Sequence, residues 1–314
     1  MRTIVTIALS ALLAGALLLC GGCGQTDAVP TDTRTEANPY AVGRVGADST
    51  LEVMTWNIQN FAKQGAVTAA EVIKVVEGLD VDIIALQEIE NLAYFQQVRE
   101  GLADWTGDRA TSAAYQVNLA FLYPLEGEVE VTSVYEILTG ARTELPRSPL
   151  VLEATFHGRE FVVINNHYKC CGDNVIQEGD TWDEEWRRLG ASRLLDEFIR
   201  TNYADKQVIM VGDFNDELSD DPEDNVFAPF LDDPDTYRFV DMNIALTPGA
   251  LWSYPSWPSH IDHILITSGL FAAHQDARTS LTRVVPLHDY LGEGWTSYKD
   301  KVSDHLPVVL RLAP

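Results

Sequence analysis

Carboxylates, carboxamides and imidazoles recur in this chain at one kind of place, where a short apolar run ends or begins. Asn57 closes the first such run, Gln87 and Glu88 close the second, and Asn165, Asn166 and His167 close a later one. Gly212-Asp213-Phe214-Asn215-Asp216 follows another, while Asp262 and Ser303-Asp304-His305 each lead into a run. Such groups are costly to bury without partners, so their repetition beside core segments implies that they meet in one cleft. One alone reads equally as a turn or a cap; the repetition at six strand ends does not. Asn57, Glu88, Asp213, Asn215 and Asp304 offer hard oxygen donors suited to Mg²⁺ or Mn²⁺, with Ca²⁺ as a further, structural ion. Zinc suits the domain less, because it has no His-Glu-x-x-His and no paired Cys-x-x-Cys. Hard-cation chemistry favours phosphate esters, whose phosphoryl and leaving oxygens the ion neutralises. His305, with Asp262 to orient it, supplies a general base for water. A serine nucleophile is not indicated: the chain has no Gly-x-Ser-x-Gly, Walker loop or dinucleotide glycine run.

Holding these groups in place calls for short strands with helices between them. Apolar runs at 51–56, 82–86, 119–123, 151–156, 161–164, 208–211, 264–266 and 306–312 read as strands. Thr68-Ala69-Ala70-Glu71 reads as a capping box opening a helix to Leu79, with Ala69, Val72, Ile73 and Val76 at helical spacing. A second helix is expected over about 183–200, with Ala191, Leu194, Leu195, Phe198 and Ile199 on one stripe. Strand runs outnumber helices, and the runs around His157-Gly158-Arg159 read as a hairpin. The expected class is therefore a mixed, layered α/β (α+β) domain rather than a purely parallel sheet.

In order along the chain, Thr55-Trp56-Asn57, Leu86-Gln87-Glu88, Leu119-Ala120-Phe121-Leu122-Tyr123, Asn165-Asn166-His167, Gly212-Asp213-Phe214-Asn215, Ile261-Asp262-His263-Ile264-Leu265 and Ser303-Asp304-His305-Leu306-Pro307-Val308 cover roughly residues 50–312. This ordered set resembles the endonuclease/exonuclease/phosphatase superfamily, the deoxyribonuclease I-like enzymes. The resemblance implies a four-layer α/β/β/α sandwich, two packed mixed β-sheets flanked by helices. It implies that Glu88 is the principal metal ligand, with Asn57 and Asp304 nearby, and that Asp213 and Asn215 position water and phosphate. His305, oriented by Asp262, would activate water or stabilise the transition state, and His167 would donate to a phosphate oxygen or the leaving group. In deoxyribonuclease I a carboxylate supports the counterpart of His167; the aligned place here is Gln116, a neutral amide that raises the imidazole pKa less. The implied activity is divalent-metal-dependent phosphodiester hydrolysis, foremost by a nuclease. The alternatives are a phosphatase or phospholipase C-type enzyme on inositol phosphates or sphingomyelin, and a non-catalytic binding module. The aromatics Trp252, Tyr254 and Trp257 could stack on bases or touch lipid, but read first as loop packing.

The chain of 314 residues carries 47 acidic and 22 basic side chains, a formal net charge of −25. A bulk-basic nucleic-acid binder is excluded, and the 46% hydrophobic content excludes disorder as the meaning of that charge. The expected enzyme is a monomer that holds a short phosphate segment through the metal and a few cations, with Arg147 and Lys169 nearest the motifs. Arg187-Arg188 reads as a solvated helix face paired with Asp183, Glu184 and Glu185. Residues 217–235, with eight acids and no base, read as a solvated loop. Met1-Arg2-Thr3 and the apolar stretch 4–19 look like a signal peptide, and Gly21-Gly22-Cys23 looks like a lipoprotein site with Cys23 lipidated. The expected organisation is a signal at 1–22, a flexible tether at 23–49 and the domain at 50–314. The chain would then be exported and held at a membrane by its lipid. Adjacent Cys170 and Cys171 are expected to form a vicinal disulfide, with redox sensing or metal capture as alternatives.

Overall fold

The computed structural model describes residues 37–113 and 116–314; the signal stretch, Cys23 and residues 24–36 of the tether lie outside the described residues. The apolar runs pair into two six-stranded sheets. The first has the order β11 (Leu281–Val284), β12 (Val308–Leu312), β1 (Leu51–Phe61), β2 (Ile83–Ile89), β4 (Asn118–Pro124) and β3 (Trp105–Arg109). The second has the order β5 (Val129–Glu136), β6 (Leu150–Phe156), β7 (Arg159–His167), β8 (Gln207–Asp213), β10 (Asp262–Thr267) and β9 (Tyr237–Phe239). Only β1–β2 and β7–β8 are parallel pairs, so both sheets are mixed, flanked by helices in the expected α/β sandwich.

Residues of both sheets, among them Val53, Leu86, Phe121, Leu152, Val163, Ile209 and Leu310, close one core. Helix α1 (Ala66–Leu79) adds Ala69, Val72, Val75, Val76 and Leu79 to it. A second cluster joins the other face of the second sheet to helix α3 (Glu184–Asn202), through Val162, Ile164 and Met210 on the sheet and Leu189, Leu195 and Ile199 on the helix. Each fully buried aliphatic or phenyl side chain of this kind contributes about 1.5–3 kcal/mol, which fixes the sheet positions tightly enough to aim polar groups at their ends.

The eight strands expected from sequence are the eight interior strands. The four not expected, β3, β5, β9 and β11, are the four sheet edges. Interior strands are covered on both faces and read as apolar runs, whereas an edge such as Val129–Glu136 alternates buried and exposed residues. The β6–β7 hairpin turns on His157 and Gly158, both at positive φ, as a two-residue turn requires.

Three expectations need correction. Helix α1 starts at Ala66, not after Thr68: the Thr68 hydroxyl accepts from the Gln64 amide at 2.8 Å and donates to the Lys301 carbonyl at 2.7 Å, so it ties α1 to another segment instead of capping it. Residues 38–49, read as the end of the tether, pack on the domain. Tyr40 is fully buried and its hydroxyl donates to Glu71 at 2.9 Å. The acidic segment 217–235 contains a helical turn, α4 (Ala228–Leu231), and buries Val226, Phe227 and Phe230, so its acids frame an apolar plug. Among the described residues no helix is long and apolar enough to cross a membrane.

Candidate active site

Strand directions gather the polar groups. Asn57 and Glu88 lie near the ends of parallel β1 and β2, and His167 and Asp213 end parallel β7 and β8. β10 and β12 run antiparallel to β8 and β1, so their starts, with Asp262 and the preceding Asp304-His305, return to the same edge. His167, Asp213 and Asp262 stand side by side in the register of β7, β8 and β10. Gly212 permits that register, because a Cβ there would lie 2.1 Å from the Asn166 carbonyl oxygen.

Asp213 is the hub. Its Oδ2 accepts from Asn57 Nδ2 at 2.8 Å and its Oδ1 accepts from the Asn215 amide at 2.9 Å. Asn57 Nδ2 also donates to Glu88 Oε1 at 3.1 Å, and the Asn60 amide donates to Glu88 Oε2 at 2.7 Å. His167 Nε2 lies 3.6 Å from Asp213 Oδ2, and His305 Nε2 lies 3.9 Å from the same oxygen and 4.0 Å from Asp304. His305 Nδ1 bonds Asp262 Oδ2 at 2.8 Å. Glu88 and Asn215 hold positive φ values of 63° and 53°, a strained presentation that the surrounding hydrogen bonds enforce.

Residues that the sequence reading missed complete the frame. Gln59 Nε2 donates to Asp304 at 2.7 Å. The Tyr298 hydroxyl accepts from Trp56 Nε1 at 3.0 Å and donates to the His305 carbonyl at 2.6 Å, while Ser303 Oγ donates to the Asn57 carbonyl at 2.7 Å. Tyr254 lays its ring over His305 at 4.7 Å, so the aromatic loop divides. Trp252 packs with its indole N–H on the Ile244 carbonyl, Tyr254 belongs to the cleft, and Trp257 is exposed. Gln59 adjoins the Asn57 motif, Trp56 and Ser303 lie within the ordered motifs, and Tyr254 belongs to the aromatic loop noted from sequence; Tyr298 carried no signal.

Burial and the Asp262 charge push the Asp213 carboxyl up to about 7. Burial alone would lower the His305 pKa, but Asp262, Asp213 and Asp304 outweigh it and raise the imidazole to about 10. Burial, reinforced by Arg147 and His305, holds His167 well below 6.5, so it is neutral. Its Nδ1 has no hydrogen-bond partner among the described residues, which assigns the proton to Nε2, facing the cleft. Four carboxylates, Glu88, Asp213, Asp262 and Asp304, thus meet Arg147 and His305, with Lys63 also acting on Asp304. Asp262 is committed to His305 and Asp213 stands 3.9 Å from that imidazole, so the close Asp213–Asp262–His305 group is a hydrogen-bonded pair beside a carboxylate rather than a cage. Glu88, Asp304 and Asn57 remain as an oxygen-only donor set beside a negative surplus, which fits a hard divalent cation.

Several expected site residues stand elsewhere. Gln116 is exposed, and among the described residues its one hydrogen bond is from Asn118 Nδ2 to its carbonyl, so its side chain is not the partner of His167 there. Lys169 pairs with Glu184 at 3.4 Å and donates to the Cys170 carbonyl at 2.7 Å, so its ammonium is engaged at its own loop. Arg147 does reach the cleft: it feels the Glu88 and Asp213 charges and donates to the Tyr168 carbonyl at 3.2 Å. Cys170 and Cys171 are thiols here, their sulfurs 3.1 Å apart, so the expected disulfide is not formed. Arg188 is fully buried rather than solvated, bonding Asp216, Glu185 and the carbonyls of Lys169 and Cys171.

Comparison with known proteins agrees with this geometry. The family model described as the Endonuclease/Exonuclease/phosphatase family matches residues 54–305. Among solved structures, D. rerio TDP2 complexed with single strand DNA product superposes with a TM-score of 0.63 at 17% identity, covering 84% of this chain and 99% of that one. An endonuclease/exonuclease/phosphatase family protein from Bacteroides thetaiotaomicron gives 0.59 at 16%, covering 84% and 94%. The human Nocturnin catalytic domain with bound sulfate anion gives 0.56 at 16%, covering 85% and 96%. No curated protein matches in sequence. The chain belongs to the endonuclease/exonuclease/phosphatase family, whose members are metal-dependent hydrolases of phosphate esters.

Proposed function

We propose that the chain is an exported Mg²⁺- or Mn²⁺-dependent phosphodiesterase that cleaves nucleic acid held over a short segment. The observation that carries this reading is the alignment of His167, Asp213 and the Asp262–His305 pair beside the oxygen donors of Asn57, Glu88 and Asp304. Glu88, with Asn57 and Asp304, would hold the ion, which when bound would supply positive charge to offset the negative charge of the phosphate ester. Asp213, its pKa near 7, takes the proton of the attacking water, and Asn215 helps fix that water and the phosphate. His305 is charged at neutral pH and donates to a phosphoryl oxygen while Asp262 holds its ring. His167 presents its Nε2 proton to the phosphate or the leaving oxygen. Exposed Trp257 beside Tyr254 supports base stacking at the rim, and the DNA product bound by TDP2 supports a nucleic-acid substrate. The net charge of −25 supports a short grip rather than a long wrapped duplex.

A metal-dependent screen of the purified full chain against single- and double-stranded DNA, RNA, sphingomyelin, inositol phosphates and a generic diester tests this. Cleavage of nucleic acid is expected; release of phosphate only from monoesters would overturn it. Export and anchoring rest on the N-terminal sequence, and Cys23→Ser is expected to move the protein from the membrane to the soluble fraction.

A further inference from the structure

Between β7 and α3 the chain runs from Tyr168 to Asp183 through an acidic loop: residues 172–185 hold six acids and no base. Three of these acids, Asp173, Asp183 and Glu185, bring one oxygen each to within 4.8 Å of the others. Asp173 is exposed, but Asp183 and Glu185 are buried, Glu185 to 1%. Glu185 Oε1 accepts from the Asn174 amide at 2.8 Å and from Arg188 Nη2 at 3.0 Å, whereas Glu185 Oε2 is buried with no hydrogen-bond partner among the described residues. Arg188 does not serve it: Nε goes to Asp216, Nη1 to the Lys169 and Cys171 carbonyls, and Nη2 to Oε1. Asp183 Oδ1 is taken by the Trp186 and Gln177 amides. Glu185 and Asp216 thus share the buried Arg188 guanidinium, while Asp183, also buried, is bonded to backbone amides instead. An unpaired carboxylate oxygen in such a place is costly, and Asp173, Asp183 and Glu185 repel one another at this range unless a further cation lies among them.

A cleft of about 320 Å³ opens beside the group, bordered by Asp173, Gln177, Asp180, Asp183 and Glu185 and by the exposed Trp182. The donors are oxygens throughout, which selects Ca²⁺ over zinc, and the roomy, partly open rim suits its high coordination number. We propose that Asp173, Asp183 and Glu185 form a second divalent-cation site, for Ca²⁺, that clamps this loop. The loop begins at Tyr168, whose carbonyl accepts from the cleft residues Arg147 and Asn215, so the ion stiffens the wall of the catalytic cleft without entering it.

Trp182 provides the probe. In the full chain, Tb³⁺ excited through tryptophan is expected to luminesce and to be displaced by Ca²⁺, with a dissociation constant on the order of 10⁻⁴ M. Ca²⁺ should also raise Tm. Asp173→Asn, on an exposed side chain, and Glu185→Gln should each weaken both effects by about 10-fold or more, as expected for losing a charged ligand. Trp182→Phe should quench the luminescence and keep the Ca²⁺-dependent rise in Tm. Glu88→Ala, which removes the ligand proposed for the catalytic ion, should leave in place the Trp182-sensitised luminescence and the part of the rise in Tm that Asp173→Asn removes. Retention of both effects in Asp173→Asn, or their loss in Glu88→Ala, would overturn the proposal. No readout depends on hydrolysis, so failure here and failure of the proposed activity are separable.

Discussion

Two aspartates in this molecule each stand between two histidines, and they are wired in opposite ways. In the cleft, Asp213 Oδ2 lies 3.6 Å from His167 and 3.9 Å from His305, too far for either hydrogen bond. Beneath it, Asp241 Oδ2 bonds His260 Nε2 at 3.0 Å and His263 Nδ1 at 2.6 Å. There the remaining atoms are also satisfied: Asp241 Oδ1 accepts from the Ile264 amide, His260 Nδ1 from the Ser253 amide, and His263 Nε2 donates to the Asp216 carbonyl. Both of its ring nitrogens then donate, so His263 is an imidazolium paired with Asp241. The consequence is electrostatic: the two histidines hold Asp241 below the ordinary carboxylate range against the effect of burial, while Asp213 is pushed up to about 7. The same residue types stabilise the fold where they satisfy one another and serve chemistry where they are kept just out of reach.

The sharpest break of this contrast is Asp213→Ala. It should lower kcat/KM by about 10⁴-fold or more, as for a general base acting with its partners, and leave Tm within a few degrees. His305→Ala should fall in the same class, and full activity in that variant would remove the proposed mechanism. A large loss of Tm in either variant would erase the distinction between the clusters.

Asp241→Asn should do the reverse. Removing one partner of a buried pair leaves the other charge uncompensated, at about 3–5 kcal/mol, measurable by urea unfolding. Activity per folded molecule should change by about 10-fold or less, because the network touches the cleft only through Ser253, Asp216 and the strand that carries Asp262. The pH dependence follows from the two shifts. Asp241 is depressed, so its contribution is present above the unfolded value of 3.8 and is lost as pH falls through the folded one. His263 is raised, since Asp241 outweighs the effect of burial; its contribution is present below the unfolded 6.5 and is lost as pH rises through the folded value. The destabilisation should therefore be greatest between about pH 4 and 6.5 and shrink on the alkaline side.

The contrast also explains what sequence could reveal. His263 adjoins Asp262 in one motif, and nothing in residue type distinguishes the imidazole that anchors from the one that reacts; only the partner Asp241, 22 residues away, decides it. Interior strands announce themselves because both faces are buried, and their ends mark the cleft. Edge strands, the packed segment 38–49 and the buried Arg188 stay silent, because their environment is set by partners distant in sequence. Gln116 fails for a related reason: alignment through Phe121-Leu122-Tyr123-Pro124 fixes positions on β4, but Gln116 precedes that strand and is exposed.

The smallest effect tests the two cations that sequence placed together. Arg147 lies where the Glu88 and Asp213 charges act on it, and its guanidinium is partly buried at the cleft wall. Lys169, two residues beyond His167, is spent on Glu184 and the Cys170 carbonyl. Arg147→Ala should raise KM about 10-fold, the scale of one charge-assisted phosphate contact, with a weaker salt dependence of KM. Lys169→Ala should change KM by about 2-fold or less, since a half-exposed ion pair of this kind contributes little. Equal effects from the two would mean that substrate draws the Cys170–Cys171 loop inward and strips Lys169 from Glu184. The cleft wall would then be a moving part, not the fixed edge that sets Asp213 apart from Asp241.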